Sequence, residues 1–83
     1  MLERVIKLDA DFESSSAAQL VQTASRFKSK ILLVSNEKTA NAKSIMGIFS
    51  LDLHGGLTVK VIADGEDEQQ AILELENILG EKS

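Results

Sequence analysis

Ser44 is the residue in this sequence whose surroundings point most directly to chemistry. It follows a short extended segment closed by Asn41, and it precedes an apolar run that ends at Leu51. Such a serine is a good N-cap, because its hydroxyl accepts a hydrogen bond from a free N–H group of the first helical turn. The positive end of the helix and its unpaired N–H groups would also stabilise a phosphate on that hydroxyl. Ser44 is therefore a candidate phosphorylation site, and the alternative is that it is only a helix cap.

The helix that would begin there is short and apolar on two sides. Ile45, Ile48 and Leu51 can turn toward a core, whereas Met46 and Phe49 fall on another side. A helix of this length is apolar nearly all round only when it is buried everywhere or when part of it meets a partner. We predict a docking surface formed by Ile45, Met46 and Phe49, with simple core packing as the alternative for these three.

Other motifs that can carry chemistry predict no catalytic site. His54 is the only histidine and stands beside two glycines, where a solvated surface residue is the common case. The carboxylates of residues 66–68 fit a helix start better than a metal site or an acid/base pair. Gly55 and Gly56 lack the lysine and the spacing of a phosphate-binding loop. We therefore predict no enzyme activity, no catalytic residue, no metal and no cofactor.

Composition limits the fold and the location of the protein. A chain of 83 residues, 43% hydrophobic and 27% charged, is expected to form one domain, 1–83, with a single core. The absence of cysteine removes disulfides and thiolate metal sites and fits a reducing cytoplasm. No apolar run has the length of a membrane span, and a strand-like pattern follows Met1 directly, so we predict a cytoplasmic protein without a signal peptide. The net charge of −4 argues against nucleic acid as a partner.

Hydrophobic periodicity predicts the elements that must position Ser44. Apolar alternation or apolar runs predict strands at residues 2–8, 30–35, 39–41 and 57–63. Apolar stripes at helical spacing predict a first and a last helix, formed by Ala17, Leu20, Val21, Ala24 and Phe27, and by Ala71, Ile72, Leu75, Ile78 and Leu79. One-sided stripes and mostly amphipathic strands favour helices packed on one face of an antiparallel sheet, an α+β architecture.

Local residues predict where these elements start and turn. The serines at 14–16 are N-cap candidates for the first helix, and Asp67 and Glu68 suit the positive end of the last one. Gly80 is the predicted stop of that last helix. In the turn between the second and third strands, Glu37 stands where glycine would be best, so we expect a wide or mildly strained turn.

The segment around Ser44 resembles that of a known family. The run Asn-Ala-Lys-Ser-Ile-Met-Gly at 41–47, followed by Ser50 and Leu51, resembles the regulatory-serine segment of HPr, the histidine-containing phosphocarrier of the sugar phosphotransferase system. Residues 21–25 and 63–68 are similar to the family as well, and the likeness covers essentially the whole chain. The resemblance implies an open-faced sandwich: a four-stranded sheet of order 1-4-2-3 with three helices on one face.

The resemblance also implies that the carrier site is lost. In the family the carrier histidine lies in a Gly-x-His-Ala-Arg-Pro pattern, and the equivalent stretch here is 11–16. Glu13 replaces the histidine, while Asp11, Ser15 and Ser16 replace the glycine, arginine and proline. Carrying phosphate needs a nitrogen nucleophile and a guanidinium that holds the phosphate oxygens, so ordinary phosphocarrier activity is not expected. Glu13 either imitates a phosphohistidine or, as we favour, simply suits a helix start.

For Ser44 the resemblance implies regulation. In HPr-like proteins this serine is phosphorylated by a dedicated ATP-dependent kinase/phosphorylase, and the product binds a catabolite-control transcription regulator in low-GC Gram-positive bacteria. Ser15, Gln19 and Gln22 would border the docking surface. We therefore predict a non-enzymatic regulator of carbon catabolite repression that resembles the HPr paralogues without the histidine. One alternative is a protein-interaction module that is phosphorylated neither at the carrier position nor at Ser44. The other is an unconventional phosphocarrier that uses Glu13.

Overall fold

Seven elements follow one another along the described part of the chain, in the order that the periodicity predicted. The computed structural model describes residues 1–10, 12 and 14–80, so Asp11 and Glu13 lie outside the described residues. The strands are β1 (Leu2–Lys7), β2 (Lys30–Ser35), β3 (Lys38–Asn41) and β4 (Thr58–Asp64). The helices are α1 (Ser14–Ala24), α2 (Ile45–Ser50) and α3 (Glu68–Leu79).

The four strands form an antiparallel sheet in the order β1-β4-β2-β3. β4 pairs with both β1 and β2, and β3 pairs with β2 at the opposite edge. The three helices pack on one face of this sheet, where α1 contacts α2 and α3. The predicted α+β class, the strand order 1-4-2-3 and the one-sided helix layer are confirmed.

The core fills the space between the sheet and the helices. Along β4, Val59 and Val61 are buried while Thr58 and Lys60 are exposed, because successive strand residues point to opposite faces. Helix stripes supply the other half of the core, with buried side chains from Ala17, Leu20, Ala24, Ala71, Ile72, Leu75 and Leu79. Full burial of a leucine side chain stabilises the fold by about 1.5–3 kcal/mol. Most positions of the two predicted stripes therefore lie in the core, as expected.

The turn between β2 and β3 is tighter than predicted. Ser35 pairs with Lys38, so only Asn36 and Glu37 lie between the two strands. The left-handed conformation falls on Asn36, which has a φ of 57°, and not on Glu37. Asparagine enters this region more readily than most residues. The expectation of a wide turn is therefore wrong, and the residue in the left-handed region is Asn36 instead of Glu37.

Both ends of α1 differ from the prediction. The helix begins at Ser14, so Ser15 and Ser16 lie in its first turn rather than at its cap. The helix ends before Phe27, which packs partly buried against the core from the segment beyond. The Phe27 N–H bonds to the carbonyl of Ala24 at 3.2 Å, three residues back, and this tighter spacing ends the α-helical pattern.

Gly80 ends α3 as predicted, but its role there is not a left-handed cap. Its φ of −96° is accessible to any residue. Leu8 forms an isolated bridge with Gly80, and a Cβ atom on Gly80 would lie 2.9 Å from Cγ2 of buried Ile6. Glycine is therefore favoured here because β1 and the residue after it approach the end of α3 closely.

Asp67 joins the connection between α1 and β2 to the start of α3. Its carboxylate accepts hydrogen bonds from Lys28 N at 2.8 Å, from Ser29 N at 2.9 Å and from Ser29 Oγ at 2.5 Å. The Ser29 hydroxyl and the Lys28 N–H stabilise the charged form and lower the pKa of Asp67 to about 2. Asp67 occupies the N-cap position of α3 without a side-chain cap bond, so its main role is this long-range link.

Replacing Asp67 by asparagine is expected to lower the free energy of unfolding at neutral pH. The replacement should also make the free energy of unfolding depend less on pH in the acidic range. Because the folded pKa is lowered, ionisation of Asp67 stabilises the fold above the ordinary aspartate pKa of 3.8, and that contribution is lost as the pH falls toward about 2. Urea unfolding at about pH 7, about pH 4 and about pH 2.5 measures the change. Glu68 keeps part of the acid dependence, since the Gly65 N–H lowers its pKa as well.

The matched control for this comparison is Glu66→Gln, which removes one exposed carboxylate next to Asp67. Wild type and Glu66→Gln should lose stability in parallel below about pH 4. Equal acid dependence in wild type and Asp67→Asn would contradict the role given to this carboxylate.

Candidate functional site at Ser44

Ser44 caps α2, as its sequence position predicted. Its backbone is extended, with φ −112° and ψ 113°, and its Oγ accepts a hydrogen bond from Gly47 N at 3.2 Å. Its carbonyl accepts the first helical bond, from Ile48 N at 3.0 Å. The residue is exposed, so the hydroxyl is at the protein surface while it caps the helix.

The chain reaches Ser44 through a turn that Asn41 closes. The Asn41 side-chain oxygen accepts a bond from Lys43 N at 2.8 Å, and its carbonyl accepts one from Ser44 N at 3.0 Å. Lys43 then extends across to the segment after α1, where its ammonium donates to the carbonyl of Phe27 at 2.7 Å. This anchor was not predicted, because a contact across 16 residues leaves no local pattern in the sequence.

The two sides of α2 divide between core and solvent as expected. Ile48 and Leu51 are buried, and Ile45 is partly buried. Met46 is 75% exposed and Phe49 is 50% exposed. The alternative of core packing is therefore wrong for Met46 and for half of the Phe49 surface, whereas the docking role of these residues stays a prediction.

The predicted border of the docking surface lies on α1. Ser15, Gln19 and Gln22 are all exposed, and their spacing of four and three residues places them on one face of the helix. α1 packs against α2, which brings the two elements together. Among the described residues, none of the three hydrogen-bonds to Ser44, so their role as the border of the docking surface stays a prediction.

His54 lies on a loop that contacts the chain just before residues 11–16, the stretch that by resemblance corresponds to the carrier segment of the family. It is exposed on the loop between α2 and β4, where its Nδ1 lies 3.1 Å from the carbonyl oxygen of Gly55. Gly55 packs so tightly on Ala10 that a Cβ atom would lie 2.5 Å from the Ala10 carbonyl oxygen. The loop therefore touches the chain just before residues 11–16. Glu13 itself lies outside the described residues.

Other features of the described structure contain no second candidate site. Within residues 1–10, 12 and 14–80, no three side chains of the metal-binding types come together, and no helix is long and apolar enough to cross a membrane. An open groove of about 280 Å³ between β1 and α3 is lined by Leu2, Arg4, Gln69, Ile72 and Leu73. Arg4 is exposed there, and its guanidinium lies 3.1 Å from the Glu76 carboxylate. The groove lining offers no nucleophile.

Ser44→Ala is expected to destabilise the protein by about 1 kcal/mol, because the variant loses the acceptor of the Gly47 N–H. Urea unfolding measures the loss. Ser25→Ala is the control. Ser25 is also exposed and lies just after α1, but its hydroxyl donates to the carbonyl of Val21 and caps no N–H group. Equal stability of wild type and Ser44→Ala would show that the capping bond contributes nothing.

Comparison with known proteins identifies the family. The family model described as "PTS HPr component phosphorylation site" matches residues 3–81. The chain is 44% identical over 70 residues to the HPr-like protein Crh of Bacillus subtilis, covering 84% of this chain and 82% of that protein. It is 43% identical over 67 residues to the HPr-like protein Crh of Halalkalibacterium halodurans, covering 81% and 80%.

Solved structures agree with this assignment. HPr-C-His from Thermoanaerobacter tengcongensis has a TM-score of 0.91 and 42% identity, covering 95% of this chain and 91% of that one. The catabolite repression protein Crh of Bacillus subtilis, described as a dimer with a swapped domain, has a TM-score of 0.74 and 42% identity, covering 88% and 84%. The sheet order, the capped serine helix and these matches lead to one conclusion: this chain belongs to the HPr family and is a Crh-like member of it.

Proposed function

We propose that this protein is a regulatory HPr-like protein of carbon catabolite repression, and that it acts through phosphorylation of Ser44 rather than as a phosphocarrier. It would work as a single HPr-like domain, 1–83, in the cytoplasm. Its partners would be an HPr kinase/phosphorylase and, after phosphorylation, a catabolite-control transcription regulator. The likeness to Crh, which a solved structure describes as a catabolite repression protein, supports this role.

The observation that carries the proposal is the surface around the capping hydroxyl. Ser44 Oγ is exposed, and Met46 and Phe49 beside it are also turned to solvent although both are apolar. A cap alone requires only a side-chain oxygen, so it gives no reason for exposed apolar neighbours. A partner that reads the modified serine and buries these two side chains accounts for both features.

The reaction at Ser44 would be an ordinary phosphoryl transfer. A bond forms between Ser44 Oγ and the γ-phosphorus of ATP, the bond from that phosphorus to the bridging oxygen breaks, and ADP leaves. The hydroxyl proton passes to a base of the kinase. The new phosphate lies at the start of α2, where unpaired helix N–H groups favour negative charge. Phosphorylation would place a dianion, in place of a hydroxyl, beside the exposed apolar side chains of Met46 and Phe49. A basic partner can distinguish the phosphorylated surface from the unmodified one.

Loss of the carrier site separates this role from sugar transport. By resemblance, Glu13 takes the place of the carrier histidine, and Ser15 takes the place of the arginine that would hold the phosphate. A carboxylate without a neighbouring cation is a poor acceptor for reversible phosphate transfer. We favour Glu13 as a residue that suits the start of α1 over Glu13 as a phosphohistidine mimic, because its charge and reach are both smaller.

Incubation with ATP and an HPr kinase should add a single phosphate to the wild-type chain and none to Ser44→Ala. Intact mass measures the addition. Ser50→Ala is the matched control, since Ser50 is an exposed serine of α2, the helix that Ser44 caps. The Ser50 hydroxyl donates a hydrogen bond to the carbonyl of Gly47 at 2.6 Å. This variant should be modified like wild type. An unmodified but folded wild-type chain, alongside a modified control HPr, would contradict the proposal and favour an interaction module without phosphorylation.

Truncation of the exposed apolar residues should weaken binding of the phosphorylated chain to the transcription regulator. Met46→Ala and Phe49→Ala are each expected to raise Kd about fivefold or more, as truncation of buried interface anchors does. Calorimetric titration measures Kd, and urea unfolding measures stability. Leu73→Ala is the control, because Leu73 is 51% exposed on α3. Strong destabilisation with unchanged affinity would assign Met46 and Phe49 to packing instead of docking.

A further inference from the structure

β1 forms one edge of the sheet, and part of its backbone has no strand beside it. β4 lies on one side of β1, and among the described residues no strand lies on the other side. The Leu8 N–H donates to the Leu57 carbonyl at 2.8 Å, and bonded pairs alternate along an antiparallel ladder. Arg4 therefore bonds to β4, whereas Glu3 and Val5 direct their N–H and C=O groups away from it. Outside the ladder, no described residue hydrogen-bonds to the backbone of Glu3 or Val5.

The far end of the same edge already has an antiparallel neighbour. Leu8 forms an antiparallel bridge with Gly80, and the Asp9 N–H donates to the Leu79 carbonyl at 2.9 Å. The chain that leaves α3 therefore occupies the edge beside Leu8. The free stretch of the edge is the start of β1, up to Val5.

Two of the three charged side chains of β1 are held on the faces of the sheet rather than beyond its edge. Arg4 Nη1 lies 3.1 Å from the Glu76 carboxylate of α3, and Lys60 Nζ of β4 lies 3.5 Å from the Glu3 carboxylate. The third, Lys7, lies next to the bridged end. Natural edge strands are commonly protected by charged side chains, lysine above all. Ion pairs that draw these charges toward α3 and β4 leave room for a neighbouring strand.

Exposed apolar side chains flank the free edge on both faces. Val5 is 64% exposed on the open face of the sheet. On the helix side, the groove between β1 and α3 is lined by Leu2 and by Leu73, which is 51% exposed. Successive residues of an added strand would point alternately into this groove and over Val5, because strand side chains alternate between faces. One extended segment would therefore cover both exposed side chains.

Free backbone groups at alternating positions select an extended peptide as the occupant. Glu3 and Val5 are two residues apart, so their outward N–H and C=O groups repeat at about 6.8 Å, as an antiparallel strand requires. A helix bonds its own backbone groups internally and offers none to this edge. In strand addition, the backbone bonds supply affinity and pockets for alternate side chains supply specificity.

A second copy of this chain fits the edge less well. Antiparallel pairing of two β1 strands about a two-fold axis brings the outward groups together when it centres on Glu3, Arg4 or Val5. Centring on Glu3 or on Arg4 sets like charges opposite each other, which is destabilising. Centring on Val5 sets the start of one β1 beside Leu8 of its partner, where Gly80 already lies. The occupant is therefore a segment of another protein.

We propose that the free edge of β1 binds an extended segment of a partner protein as a fifth strand, antiparallel to β1. The backbone of this segment bonds to Glu3 and Val5, and an aliphatic side chain at every second position enters the groove beside Leu73. β3, which leads to Ser44, forms the opposite edge of the sheet, so both sites can be occupied at once. This binding does not depend on phosphorylation of Ser44.

A peptide titration of the isotope-labelled full chain, followed by amide chemical shifts, tests the proposal. The probe is a heptapeptide of alternating threonine and valine, acetylated, amidated and extended by two lysines for solubility. We expect a Kd of about 0.1–1 mM, with the largest shifts at Glu3, Val5 and Leu73 and none on α2.

Methylated peptides test whether backbone bonds carry the affinity. With the valines in the groove, the threonine N–H groups face β1 and the valine N–H groups face solvent. Methylation of the threonine nitrogens should therefore raise Kd about tenfold or more. Methylation of the valine nitrogens is the matched control and should leave Kd within about twofold of the parent peptide.

Variants of the chain test the same contacts from the other side. Val5→Pro removes an outward N–H but no bond to β4, and proline is tolerated at such edge positions. It should raise Kd about tenfold or more, whereas Val5→Thr keeps the N–H and a β-branched side chain and should bind like wild type. Leu73→Glu should raise Kd about fivefold through the groove alone. Urea unfolding shows that each variant is folded, and the methylated peptides need no variant.

Equal affinity for the two methylated peptides, or shifts centred on α2, would overturn the proposal. So would the absence of shifts at Glu3 and Val5 up to about 2 mM peptide. Shifts on β1 that follow the concentration of the chain alone would place a second copy on the edge and would overturn it as well.

Discussion

Packing of all three helices on one face of the sheet is the constraint on which the rest of this structure depends. It buries the apolar stripes of α1 and α3 between the two layers and leaves the reverse of β1, β4 and β2 to solvent. It also leaves α2 at the surface of the helix layer, with Ile48 in the core and Met46 in solvent. Ser44 and the uncovered face of the sheet consequently lie on opposite sides of the molecule.

Two sets of hydrogen bonds connect the three helices, and both involve the backbone of residues 27–29. Lys43 reaches the carbonyl of Phe27 from the entrance to α2, and Asp67 holds the N–H groups of Lys28 and Ser29 from the start of α3. The connection after α1 is thereby tied to the other two helices. Ser44 is presented on a preorganised frame, so the phosphorylation that we propose would change surface charge without requiring a change of fold.

Local patterns were sufficient to predict features whose partners are near in sequence. The apolar run within Lys30–Ser35 predicted β2 to the residue, and Ser44 could be identified as a cap because Gly47 is only three residues away. Contacts between distant loops could not be predicted, since periodicity does not say which loops meet. Three such contacts are those of Asp67 with Ser29, Lys43 with Phe27, and Gly55 with Ala10. The strand order came from the family resemblance, because the one-sided pattern alone is compatible with several orders.

The central claim is that this chain keeps regulation and has lost phosphate carriage. Its most direct test is residue-level mass spectrometry at neutral pH, after incubation with phosphoenolpyruvate and the phosphotransferase enzyme that charges a control HPr. Neutral pH is required because phosphohistidine is hydrolysed in acid, whereas an acyl phosphate on glutamate is hydrolysed in both acid and alkali. Phosphate on the control, with none on Glu13 or on His54 of the loop that touches Ala10, is the predicted result. Phosphate on either residue, lost in Glu13→Gln or His54→Gln, would show that the chain still carries phosphate and would contradict the claim.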